Sequence, residues 1–207
     1  VTRDLHGDAV RTLTGWRAPD AEQERLRTSY LDHLRRHHDG LSRSCVPAHL
    51  TASALVVDAT GEHALLALHR KGGFWAQVGG HCEPGDETLS GAALREATEE
   101  SGIEGLRLIG SEPVDLDAHQ LSGAFGSCGE HLDVRFLVVA PAGAEPVVSD
   151  ESDDVRWFRW DALPNDAVVD LTRLASAARG RFAEAGQPGP STSEEMSSPA
   201  AAATPSR

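Results

Sequence analysis

The sequence predicts an α+β fold, or a layered sandwich, on three observations. Short apolar or alternating stretches read as strands, and longer stretches with apolar residues at three- and four-residue steps read as helices. The two kinds follow one another without the regular alternation of a doubly wound parallel sheet. At 207 residues the chain has room for one ordinary domain with extensions, since domains commonly run about 100–200 residues.

After a start without clear periodicity, Trp16-Arg17-Ala18-Pro19 reads as a turn with Asp20 as a helix N-cap. Leu26, Tyr30, Leu31 and Leu34 then recur at helical steps toward Asp39-Gly40, giving an apolar stripe that needs a partner surface. From Leu50 the texture changes. Residues 54–57 and 64–68 are apolar runs separated by the turn-forming Asp58-Ala59-Thr60-Gly61-Glu62, which predicts two strands, and residues 74–78 predict another that ends in Gly79-Gly80. A helix follows over residues 89–101, stopped by Gly102 in the position suited to a left-handed residue. Residues 106–109, 132–140 and 155–160 read as strands. In the second of these, Leu132, Val134 and Phe136 alternate with Asp133 and Arg135, which implies one buried face. Residues 166–185 read as a long helix. Beyond Gly186 the composition shifts to Pro, Ser, Thr, Ala and Gly, too poor in bulky groups to offset chain entropy, so this tail is expected to be disordered. The organisation is an N-terminal helical extension over 1–48, a domain over 49–186 and a tail over 187–207.

A formal net charge of −13 argues against an extended nucleic-acid surface, because phosphate backbones select for basic patches. No apolar run approaches the roughly 20 residues of a membrane span, and the polar N-terminus lacks a signal-peptide core, which reads as a cytoplasmic protein without a membrane partner. Cys45, Cys82 and Cys128 are odd in number and outside any CxxC pairing, so reduced, partly buried thiols are expected.

The helix over 89–101 carries the chemistry. At about 100° per residue, Glu96, Glu99 and Glu100 fall on the same stripe as Leu89, Ala92, Ala93 and Ile103, whereas Ser90, Gly91, Thr98 and Ser101 lie opposite, along with Leu94. A solvated acidic face would put that apolar stripe in water. An inward stripe instead crowds three carboxylates, whose lost hydration and mutual repulsion cost several kcal/mol per ion, roughly, unless a cation offsets them. Clustered carboxylate oxygens suit a hard divalent cation, Mg²⁺ or Mn²⁺, and that combination serves metal-assisted phosphoryl transfer.

The segment from Gly79-Gly80-His81-Cys82-Glu83-Pro84-Gly85-Asp86-Glu87 to Arg95-Glu96-Ala97-Thr98-Glu99-Glu100-Ser101-Gly102-Ile103 resembles the Nudix box, GX5EX7REUXEEXGU with U apolar. Seven residues separate Glu87 from Arg95, and Ala97, Gly102 and Ile103 fill their slots. The first half departs by one residue: six lie between Gly80 and Glu87, leaving the first acidic slot open between Asp86 and Glu87. The resemblance implies a Nudix-type α/β/α sandwich with a mixed sheet from about residue 50 to 185. It implies metal ligation by Glu96, Glu99 and Glu100, with Glu87 at the first acidic slot, and Glu96 as base or water orienter. It also implies that Arg95 pairs with an acid of the box, and that a metal-activated water attacks one phosphorus of a small diphosphate compound such as a nucleoside diphosphate derivative. More loosely, His49-Leu50-Thr51-Ala52-Ser53 and His131-Leu132-Asp133-Val134-Arg135-Phe136 look like a bacterial subgroup of the family. A homodimer is compatible with the resemblance.

Gly79 and Gly80 end a strand and also allow backbone to approach substrate phosphates. His81, beside the box, is the histidine expected nearest the site, as a phosphate contact or proton shuttle, whereas His49, His69, His119 and His131 read as surface or satisfied structural histidines. Glu130 and Glu151 read as loop acids, with a further acid or base for the site as their other reading, and Phe74 and Trp75 as core. The loop residues from 111 to 130 are expected to carry substrate recognition. Two other functions have counterparts in the sequence. Isopentenyl-diphosphate isomerases share a Trp, Gly-His and glutamate-helix layout but look to need a cysteine where Gly79 stands. A non-enzymatic Nudix-like ligand sensor would have lost box acids that are intact in this chain.

Overall fold

A computed structural model describes residues 4–121, 128–149 and 152–186. The tail over 187–207 and Glu151 lie outside the described residues. At the centre, β1 (Ala48–Val57) and β7 (Glu130–Val139) run parallel over ten paired residues. All other pairings between the named strands are antiparallel, and among the described residues each central strand has two further neighbours. Strand β1 pairs with β4 (Val78–His81) through Thr51–Ala54 and with β2 (His63–His69) at Val56 and Val57. Strand β7 pairs with β6 (Asp115–Gln120) and, near its end, with β5 (Arg107–Leu108). The short β3 (Trp75–Ala76) and β8 (Ser152–Arg159) both pair with β2.

Strand alternation divides the core in two. Leu50, Ala52, Ala54, Leu132, Val134 and Phe136 pack with α3 (Leu89–Ser101), α2 (Ala21–Arg36) and α1 (Leu5–Gly15). Leu55, Val57, Leu137 and Val139 pack beneath α4 (Leu171–Ala185) on the other face. The result is the mixed-sheet α/β/α sandwich. Among the described residues no helix is long and apolar enough to cross a membrane.

Several expectations change. The start without periodicity is helix α1, capped by Asp4, whose side chain accepts from His6 N. The segment read as loop over 111–130 contains β6, and the last helix begins at Leu171 rather than 166. Gly79 and Gly80 lie inside β4 rather than after a strand. Asp133 and Arg135 are buried, so both faces of β7 are covered. They tolerate burial because Arg135 pairs with Asp115 at 3.2 Å, Asp117 at 3.1 Å and Asp133 at 3.0 Å, and with Asp170 at the start of α4.

The N-terminal helices are built into the same core. Ala9, Leu13, Trp16, Tyr30 and Leu34 are buried in it. Asp20 caps α2 as expected, accepting from Glu22 N and Gln23 N. The Gln23 carboxamide donates to Leu116 O at 2.9 Å and accepts from Leu116 N at 2.7 Å, reproducing the pairing of a neighbouring strand. Asp8 of α1 accepts from Leu89 N at 3.0 Å, so α1 satisfies one of the unpaired amides that open α3.

Candidate functional site

Helix α3 starts on the Thr88 cap, whose hydroxyl accepts from Gly91 N, and ends, as the sequence predicts, at Gly102 with φ 64°. Leu89, Ala92, Ala93, Ala97 and Ser101 are buried. The buried arc is therefore turned past Ala97 to include Ser101, which the helical projection placed on the solvated side. Its hydroxyl is satisfied by donating to Ala97 O. The turn leaves Glu96 and Glu100 half-buried and Glu99 exposed, its side chain 60% accessible. Two of the three acids thus share a partly buried face, and the third stands at its rim.

Arg95 organises the cluster. Its guanidinium reaches Asp86 at 2.9 Å, Glu96 at 3.0 Å, Glu99 at 3.0 Å and the His81 carbonyl at 3.1 Å. The hydrogen bond to Asp86 and the charges of Glu96 and Asp86 raise its pKa, so it stays charged. Burial pushes the Asp86 carboxyl up, but hydrogen bonds from Arg95 and from Glu83 N outweigh it and hold it below its ordinary value. This settles which acid meets the arginine: Asp86 turns inward, whereas Glu87, placed first on spacing, is exposed. The extra loop residue allows it, because Asp86 closes a turn by accepting from Glu83 N at 2.7 Å.

Gly80 makes room for the acid helix and Gly79 for the neighbouring strand β1. A Cβ on Gly80 would lie 2.8 Å from Glu96 Oε2, and a Cβ on Gly79 would lie 2.2 Å from Ser53 Cβ. The Gly79 N–H donates to Glu100 Oε1 at 3.0 Å. Glu96 and Glu100 are thereby held against the backbone of β4. The donor set is all carboxylate oxygen with no thiolate among the box acids, so it fits a hard Mg²⁺ or Mn²⁺ ion.

A pocket of about 720 Å³ opens beside Glu96, lined by Gly80, His81, Arg95, Glu96 and Glu99 together with His6, His38 and Arg43. The N-terminal segment thus walls the site, and Arg43 is exposed there. Nothing in spacing or periodicity points to Arg43, since only the chain path after α2 brings it over the box. Burial, then the charge of Arg43 and the neighbouring His131 and His49, push the His81 pKa down to about 3, so its imidazole is neutral at neutral pH. His49 and His131, read as satisfied or surface residues, lie within 5.0 Å of His81, ring centre to ring centre. His49 Nε2 has no hydrogen-bond partner among the described residues. Glu130 pairs with Gln120 at 2.9 Å, and Trp75 is buried with its ring edge-on to Phe158.

A family model for the NUDIX domain matches residues 47–178. No curated protein matches the chain. Solved structures of similar fold include a NUDIX-family hydrolase from Clostridium perfringens, 21% identical, covering 65% of this chain and 97% of its own with a TM-score of 0.53. An Ap4A hydrolase from C. elegans is 18% identical, covers 65% and 98%, and has a TM-score of 0.53. A dihydroneopterin triphosphate pyrophosphohydrolase from E. coli is 20% identical, covers 64% and 93%, and has a TM-score of 0.52.

Proposed function

The chain belongs to the NUDIX-domain family, and from that premise we propose that it is a metal-dependent hydrolase of a diphosphate linkage, acting on a nucleoside diphosphate derivative or another small diphosphate compound. One observation carries the reading: the Glu96 carboxylate sits against the Gly80 backbone in the wall of an open pocket, with Glu100 tied to Gly79 N beside it.

Glu96, Glu99 and Glu100 would hold Mg²⁺ or Mn²⁺. When bound, such a cation neutralises phosphoryl charge and makes water acidic enough to attack phosphorus at neutral pH. The chain's own residues supply the rest. Arg95 is a positioning residue: anchored on Asp86 and the His81 carbonyl, it fixes the carboxylates of Glu96 and Glu99. Glu96, half-buried and acceptor-only when ionised, is the group placed to orient water or take its proton. Arg43, in the lining of the same pocket, offers a cation to a substrate phosphate. A neutral His81 adds hydrogen bonding without charge.

The test is a screen of diphosphate compounds with Mg²⁺, read as phosphate release through a coupling phosphatase, repeated with Glu96→Gln and Glu100→Gln. Each variant is expected to lower turnover at least about a hundredfold, and a chelator to abolish it. Full activity in chelator, or near-wild-type turnover in both variants, overturns the reading.

A further inference from the structure

Three strands of the central sheet each deliver an imidazole to the same place. His49 of β1 and His131 of β7 are register partners in the parallel pair. His81 of β4 stands opposite Thr51, two residues from His49 and on the same face of β1. The three rings lie 5.0 Å apart pairwise, and one ligand atom from each lies within 4.8 Å of the other two.

His49 is the most informative of the three. It is 1% exposed, and its Nδ1 lies 3.3 Å from the Cys45 carbonyl oxygen. Nδ1 also lies 3.2 Å from Cys128 Sγ, whose S–H has the Pro47 and Glu130 carbonyls as its acceptors; a carbonyl only accepts, so the proton sits on Nδ1 and Nε2 carries the lone pair. That Nε2 is buried with no hydrogen-bond partner among the described residues. A buried acceptor left without a donor is costly, and a ring whose far N–H is held by a backbone carbonyl is the arrangement that orients a histidine toward a metal.

We propose that His49, His81 and His131 are the protein ligands of a Zn²⁺-class ion, at a site separate from the carboxylates of the box. Neutral imidazole nitrogen selects such borderline ions over Mg²⁺. Three protein ligands leave the fourth position of a tetrahedral ion to solvent or to a ligand oxygen, and the ion would tie β4, which carries the glycines, to the paired β1 and β7. The imidazole of His119 stands 5.4 Å from that of His131, but its nitrogens do not join the group of ligand atoms within 4.8 Å of one another that His49, His81 and His131 form, so it is not among the ligands.

The experiment uses the full chain, stripped with chelator and returned to chelator-free buffer, then titrated with Co²⁺ and followed by its visible spectrum. One equivalent of Co²⁺ should bind, be displaced by one equivalent of Zn²⁺ and resist excess Mg²⁺. His81→Gln and His131→Gln should each weaken Zn²⁺ binding about a hundredfold or more, while a Glu96→Gln/Glu100→Gln double variant should leave it unchanged. Where a histidine variant fails to fold, X-ray absorption of the Zn²⁺-loaded wild type decides the matter: three imidazoles at about 2.0–2.1 Å support the site, and a sulfur neighbour near about 2.3 Å overturns it by assigning the ion to a cysteine. Absence of stoichiometric binding, binding unchanged in both histidine variants, or binding lost in the glutamate variant also overturns it.

Discussion

Alanine at Gly80 and at Gly79, adjacent residues of one strand, should fail in opposite ways. At Gly80 the three atoms nearest the new methyl would all belong to the end of the Glu96 side chain, Oε2 at 2.8 Å, Cδ at 2.9 Å and Oε1 at 3.0 Å. A carboxylate can swing away, so stability should change by about 1 kcal/mol or less, or roughly 2–4 °C in Tm for a chain of this size. The acid, however, leaves its place, and a displacement of about 1 Å in a catalytic group costs on the order of a hundredfold in rate. At Gly79 the methyl would meet Ser53 Cβ at 2.2 Å and Ser53 Cα at 2.4 Å, on a backbone with φ 153°. Neither the central strand nor that φ yields cheaply. Strain and overpacking together should cost about 2–5 kcal/mol, roughly 4–20 °C in Tm. The assay pairs thermal melting in chelator with Mg²⁺-dependent phosphate release on the best substrate of the screen. A Gly80→Ala protein that melts as low as Gly79→Ala, or one that keeps full activity, would refute the placement of Glu96.

Three further outcomes are expected. Glu99 is exposed, so its pair with Arg95 contributes only about 0.3–0.5 kcal/mol; Glu99→Gln should melt within that margin of wild type in chelator yet gain a smaller Tm shift from Mg²⁺, and an unchanged metal shift would remove Glu99 from the ligand set. Burial raises the Asp115 pKa to about 7 against the pull of Arg135 and Arg173. Between about pH 4 and 7 the folded chain therefore holds a proton the unfolded chain has lost, and this contribution is full below about pH 4 and fades as pH rises to 7. Asp115→Asn removes that titration, so its stability should fall less than that of wild type between about pH 4 and about pH 8 in urea melts; a pH profile as steep as that of wild type would show that Asp115 holds no such proton. Gln23→Ala strips the acceptor from the buried Leu116 N–H, while Arg173 still donates to its carbonyl at 3.3 Å, and should cost about 1–3 kcal/mol; a denaturation midpoint equal to that of wild type would show that water replaces the carboxamide.

What could be read in the sequence was local. Helix α3, its Gly102 stop and the Asp20 cap of α2 follow from periodicity and capping chemistry within one stretch of chain. Strand β6 escaped because Asp115 and Asp117 look solvated until Arg135 and Arg173, from elsewhere in the chain, are brought to them. Asp133 and Arg135 looked like a solvent face for the same reason. Helix α1, interrupted by Gly7 and Thr12, carries two fully buried apolar residues, Ala9 and Leu13, too few to mark a stripe. In the site, the acids of α3 were legible as a spacing, but the choice of Asp86 over Glu87 depends on how a loop turns. His49, His81 and His131 share no spacing at all, because strand register alone brings them together.

The carboxamide of Gln23 has a consequence for how copies of this chain can meet. Strand β6 pairs with β7 on one side, and a sheet edge exposing N–H and C=O groups invites another chain to extend the sheet. At Leu116, one residue into that strand, both groups are already matched by a side chain delivered from α2. The helix thus acts as a stopper, occupying the Leu116 groups that an added strand would need.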